Sequence, residues 1–189
     1  MENRPLDCME GNLSPKEVEL YNILRRLWMD HAIWTRGFTI STAFNSEDLD
    51  DVTKRLLRNP TDFAYLLSIF FGNQYAMEFE ELLRDHLLIA GQLVNAAKDG
   101  DTKTVNEQRE KWYQNATDIA VLLGDMSPYW NTQAWQAMLN DHLKMVENQA
   151  TQILTGKYQE SIDQYDNMQT QMLMMADQMA CGIIKQFNI

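Results

Sequence analysis

Apolar residues recur along most of the chain at spacings of three and four, the period of an amphipathic helix. A first stripe runs through Leu20, Leu24, Leu27, His31, Trp34, Phe38 and Thr42 and ends near Asn45. It is opened by Ser14-Pro15-Lys16-Glu17, which supplies an N-cap, a proline for the first helical position and a capping-box glutamate. A second stripe, Phe79, Leu83, His86, Ala90, Leu93 and Ala97, is closed by KDGD. A third, Trp135, Leu139, His142, Val146, Gln149 and Ile153, is closed by TGK. Returning helices are expected after each. The first starts at Ser46 and is interrupted at RNPTDF, where Asn59 is expected to cap, Pro60 to take the first helical position and Asp62 to favour the first turn. The second covers about 102–125, with Val105, Trp112, Ile119 and Leu123 inward. The third covers about 158–187, with Ile162, Tyr165, Met168, Met172, Met175, Met179 and Ile183 inward. No stretch sustains the alternation of a strand.

The stripes share a register. From His31 to His86 and from His86 to His142 the interval is the same to within one position. Each histidine also lies about four helical turns before its turn residue, Asn45, Gly100 or Gly156. Repetition at such a period marks stacked helical units. The predicted fold is all-α: an up-and-down antiparallel bundle with a four-helix core, built from three degenerate hairpins of about 55 residues. Residues 1–13 lack periodicity and read as a flexible tail. Residues 14–189 form one domain with units 14–72, 73–126 and 131–187, and GDMSPYWN is the clearest linker.

Charge and composition narrow the function classes. A net charge of −11 over 189 residues argues against nucleic-acid binding and against docking on anionic lipid. The N-terminal MENRPLDCMEGNLSP has no apolar signal core, and the longest apolar run, FAYLLSIFFG, is too short to span a bilayer, so a soluble cytoplasmic protein is expected. Its expected partner is another protein or a second copy of itself, met through the acidic surface; any small-molecule ligand is unspecified. Cys8 and Cys181 form no CxxC pair, which points to neither a thiolate zinc site nor a disulfide framework.

The candidate chemistry lies in His31, His86 and His142. Each occupies the seam of its stripe and follows an aspartate, Asp30, Asp85 or Asp141, turned about 100° around the helix axis. The aspartates are therefore expected to orient a histidine on a neighbouring helix, as second-shell carboxylates do. Parallel leading helices would bring the three imidazoles to one height, where they could bind a divalent metal, zinc or iron, with a fourth position open for water activation. At that height the returning helices carry Asn59 and Asp62, Asn115 and Asp118, and Gln169 and Gln171; Asp62, Asn115 and Asp118 are the weaker candidate ligands. The alternative is structural. Buried histidines satisfied by an aspartate or amide are the commoner case, and duplication would copy such a device three times. No histidine has a glutamate three residues before it, so a di-iron carboxylate enzyme is disfavoured. The methionines of NMQTQMLMMADQMACGII and the five tryptophans read as core, and Lys54, Arg55 and Arg58 as ordinary helix-end cations.

The stretches LWMDHAIWTRGFTISTAF, TKRLLRNPTDFA, EFEELLRDHLLIAGQLVNAAKDGD, KWYQNATDIA, MLNDHLKM and MMADQMACGIIKQF resemble a family of small uncharacterised bacterial proteins common in Firmicutes such as clostridia. The resemblance covers nearly everything from Ser14 onward. It implies no established activity. Members often carry the label acetylglutamate kinase, which implies an α/β fold with glycine-rich phosphate loops; this chain has no strand pattern and eight glycines, and is expected not to be a kinase. A looser similarity to ferritin-like bundles implies helical metal binding by analogy alone.

Overall fold

The computed structural model describes residues 12–189, so most of the expected tail lies outside the described residues. Among the described residues there are helices and no strands. They are α1 (Pro15–Phe44), α2 (Leu49–Leu56), α3 (Asn59–Asp99), α4 (Thr102–Met126), α5 (Thr132–Leu154) and α6 (Tyr158–Phe187). The Ser14–Glu17 capping box forms as its sequence requires, with Glu17 N–H donating to Ser14 Oγ at 3.2 Å and Ser14 N–H to the Glu17 carboxylate at 2.6 Å.

Where the leading helices end, the chain turns through the left-handed region, at Asn45 (φ 52°), Gly100 (φ 74°) and Gly156 (φ 76°). These are the turn residues that follow the histidines at a shared interval, and asparagine and glycine are the types that enter this region most cheaply. A further break falls inside α3. Gly72 has φ 79° and ψ 169°, conformational space essentially closed to a side-chain-bearing residue, and it divides α3 into two arms.

Along the chain each long helix packs against its successor, and α6 returns against α1, so the series closes on itself; α2 rests on α1 and α3. Ion pairs tie neighbouring helices: Arg25 to Asp177 by two bonds of 2.6 and 2.8 Å (α1–α6), Arg109 to Glu147 at 3.0 Å (α4–α5) and Arg55 to Asp30 at 3.0 Å (α2–α1).

The interior is apolar and aromatic, with Trp112, Trp130, Trp135, Phe63, Met168, Met172, Met175 and Met179 fully buried. Burying each such side chain stabilises by about 1.5–3 kcal/mol, so this interior supplies most of the driving force. Ile162, expected inward, is 45% exposed: in this turn of α6 the adjacent Ser161 is the buried residue. Trp130 lies against the backbone of Gly182, and a β-carbon there would overlap its indole. Cys181, buried on α6, is disulfide-bonded, contrary to the expectation from cysteine spacing. No helix among the described residues is long and apolar enough to cross a membrane.

Candidate metal centre

His31, His86 and His142 come from α1, α3 and α5 and are each at most 3% exposed. Their rings meet. The His31 imidazole is 6.5 Å from that of His86 and 5.9 Å from that of His142, centroid to centroid. All three border one enclosed cavity of about 20 Å³, whose remaining lining is apolar and includes Trp28, Phe79, Trp135 and Met179. A space of this size admits one water molecule or one metal ion.

Two of the rings are oriented by an asparagine amide, and a glutamine stands at the corresponding place for the third. The Asn59 amide donates through Nδ2 to the Leu27 carbonyl (3.0 Å), and this turns its oxygen towards His31 Nδ1 at 3.1 Å. Asn115 repeats the arrangement, donating to the Leu82 carbonyl at 3.0 Å and accepting from His86 Nδ1 at 2.9 Å. Gln171 donates to the Met138 carbonyl at 2.8 Å and also acts on His142, but Gln171 Oε1 and His142 Nδ1 stay outside hydrogen-bond limits. In every case the accepting carbonyl belongs to the residue four before the histidine, one helical turn away.

This network fixes the tautomer. An amide whose NH2 is engaged on a carbonyl can offer only its oxygen, so Nδ1 of His31 and His86 must carry the proton. Nε2 of these two rings then keeps a free lone pair on the ring edge away from the amide. Burial holds all three imidazoles neutral. For His31 desolvation lowers the pKa to about 4, against a small opposing contribution from Asn59. For His86 desolvation, then the proximity of His31, lowers it to about 3. His142 is held well below the ordinary histidine value by desolvation and by both other rings.

The aspartates do not orient the histidines. Asp30 holds Arg55, Asp85 is exposed, and Asp141 lies 3.3 Å from Lys144 at the surface. A residue one place before an inward histidine is turned towards the flank, and here the flank faces solvent or α2. Nor do Asp62 and Asp118 approach the cavity: Asp62 accepts from Arg58 at 3.1 Å, and exposed Asp118 accepts from Gln114 at 2.9 Å. Asn115 is at the site as the outer partner of His86, with its oxygen already engaged on Nδ1. Asn59 does not cap α3; its amide is taken up by His31 and Leu27. Lys54, Arg55 and Arg58 are each paired with an aspartate.

The donor set suits a transition metal: three neutral imidazoles border a space for one ion, and in two of them, His31 and His86, Nδ1 is engaged and Nε2 free. Rings on one tetrahedral ion with metal–nitrogen bonds of about 2.0–2.1 Å stand about 5 Å apart, so binding requires an inward movement of about an ångström. Consistent with that spacing, no three His, Cys, Asp or Glu side chains among the described residues already stand at metal-holding distances. No protein-family model, curated protein or solved structure matches the chain.

Proposed function

We propose that this protein binds a single transition-metal ion through Nε2 of His31, His86 and His142. The observation that carries this reading is the amide bridge on two of the three rings that border one cavity: Asn59 and Asn115 engage Nδ1 of His31 and His86, which leaves Nε2 of each as the free donor. Fixing the second nitrogen is how proteins prepare an imidazole for a metal. A divalent ion, zinc or iron, is the first to test. With about 20 Å³ the cavity holds an ion but not an ion and a substrate, which favours binding, storage or sensing over turnover.

The same reading includes the architecture. Three helical hairpins place equivalent residues around the cavity: Trp28, Leu83 and Leu139 three places before the histidines, and Asn59, Asn115 and Gln171 on the returning arms. The four-helix core expected of two hairpins is thereby extended by a third, and the chain is a helical metal-binding member of the uncharacterised bacterial family that it resembles, not a kinase.

A second reading keeps the network and omits the metal. Nδ1 of His31 and His86 is already satisfied, so the triad could order the core alone. Elemental analysis separates the two, using protein purified without a chelating tag and each single histidine-to-alanine variant. The metal reading expects one equivalent in the parent and loss in every variant. Parent protein that is metal-free and cannot be loaded, with variants that only melt lower, would leave the structural reading.

A further inference from the structure

The cavity has two properties that bear on which ion it takes. First, it carries no compensating charge. Among the described residues its lining contains no Asp, Glu, Lys or Arg, and the groups holding the imidazoles from outside are neutral amides. Of the aspartates that precede the histidines, Asp30 and Asp141 pair with Arg55 and Lys144, and Asp85 is exposed on the outer surface and absent from the cavity lining. The cost of moving an ion into a medium of low polarisability scales with the square of its charge, so a dication costs about four times as much as a monocation here. A dication could be neutralised by a bound hydroxide or other small anion, but a cavity of about 20 Å³ has room for one particle.

Second, one wall carries a soft donor. Met179 is fully buried and borders the cavity with the histidines. It stands eight places after Gln171, as Leu67 stands eight after Asn59 and Leu123 eight after Asn115. Leu67 and Leu123 are also buried. Of three corresponding positions, then, two carry leucine and one a thioether of nearly the same volume. Helical side chains lean towards their own N-terminus, which on α6 carries Met179 towards the level of the imidazoles.

Resting on the metal reading above, we propose that the ion is copper(I), held by the three imidazole Nε2 atoms with Met179 Sδ as the fourth donor. A univalent ion costs the least to bury in this uncharged cavity, and imidazole with thioether is a donor set suited to copper(I), whereas zinc(II) and iron(II) gain little from the thioether.

The test is an oxygen-free titration of the full chain with copper(I) against a chromophoric copper(I) chelator, with a parallel cobalt(II) titration. Both are run on the parent, on each histidine-to-alanine variant and on Met179→Leu. Leucine is the residue at the corresponding positions, so this variant is expected to fold. The expected result is one equivalent of copper(I), lost in each histidine variant and weakened at least about tenfold by Met179→Leu, a scale on which even outer-shell partners act. Cobalt(II) affinity should be indifferent to that substitution. Copper(I) affinity unchanged by Met179→Leu, or cobalt(II) retained while copper(I) is not, would overturn the copper assignment and leave a metal site standing. Failure of the parent to hold either ion would bring down the metal reading as well.

Discussion

Asn59 and Gln171 occupy corresponding places in the site but differ by one methylene, and the difference is a test of the amide bridge. Asn59 is fully buried and closes both its bonds, whereas Gln171 is half-buried and closes only the one to Met138. Asn59→Ala would leave His31 Nδ1–H without its partner, a loss of about 1–3 kcal/mol, whereas the Leu27 carbonyl keeps its helical bond within α1. Gln171→Ala should cost less; equal costs in urea denaturation would mean that the two amides orient their rings equally. The imidazoles themselves make stability depend on pH. Below about pH 6.5 the unfolded histidines take up protons, whereas folded His31 and His86 refuse them until about pH 4 and about pH 3. Stability is therefore expected to fall as pH falls from 6.5, by about 1.4 kcal/mol per pH unit for each histidine. Replacing His86 with leucine should reduce the slope between pH 6 and 5 by about a third, and an unchanged slope would count against its neutral burial. The histidines and the amides at their height were legible in the sequence, because helical period fixes both direction and height. The roles of the aspartates were not: a neighbour in sequence points about 100° away, and what fills that flank depends on packing.

The helices themselves were legible almost to the residue, since Ser14, Pro15, Asn45, Gly100 and Gly156 start or stop them by local chemistry. A unit boundary was expected between 72 and 73, but the left-handed break at Gly72 itself was not, because it sits within an apolar run that continues the helical pattern on both sides. Its φ of 79° with ψ 169° makes a cost of about 1–3 kcal/mol expected for Gly72→Ala, entirely from the backbone, since a β-carbon there would meet nothing within 4 Å. Gly182→Ala should be destabilising by about 1–3 kcal/mol for the opposite reason: the backbone is helical, but Trp130 fills the space. The two variants separate under a second change. Replacing Trp130 with a smaller residue should lessen the added cost at Gly182 and leave that at Gly72 unaltered; coupling at Gly72 instead would contradict this account.

At the scale of the whole molecule, a metal that binds only the folded state stabilises it by mass action. Free ion at about 100 times its dissociation constant should add about 2.7 kcal/mol, raising the melting temperature of the parent but not of the histidine variants. Because folded His31 and His86 stay unprotonated down to about pH 4 and about pH 3, this gain should persist on acidification to about pH 4 and shrink below it. Scanning calorimetry with and without metal reads both. That His31, His86 and His142 border one cavity was visible in the sequence only as a shared interval; their convergence depends on how α1, α3 and α5 pack. The most direct test is nitrogen NMR of the three imidazoles, labelled with 15N, as one equivalent of diamagnetic ion, copper(I) or zinc(II), is added. Protonated Nδ1 and unprotonated Nε2 are expected in His31 and His86 beforehand, then a joint shift of all three Nε2 signals that is complete at one equivalent. Protonated Nε2 in either of these two rings in the metal-free protein, or signals that do not move together, would contradict the shared metal site.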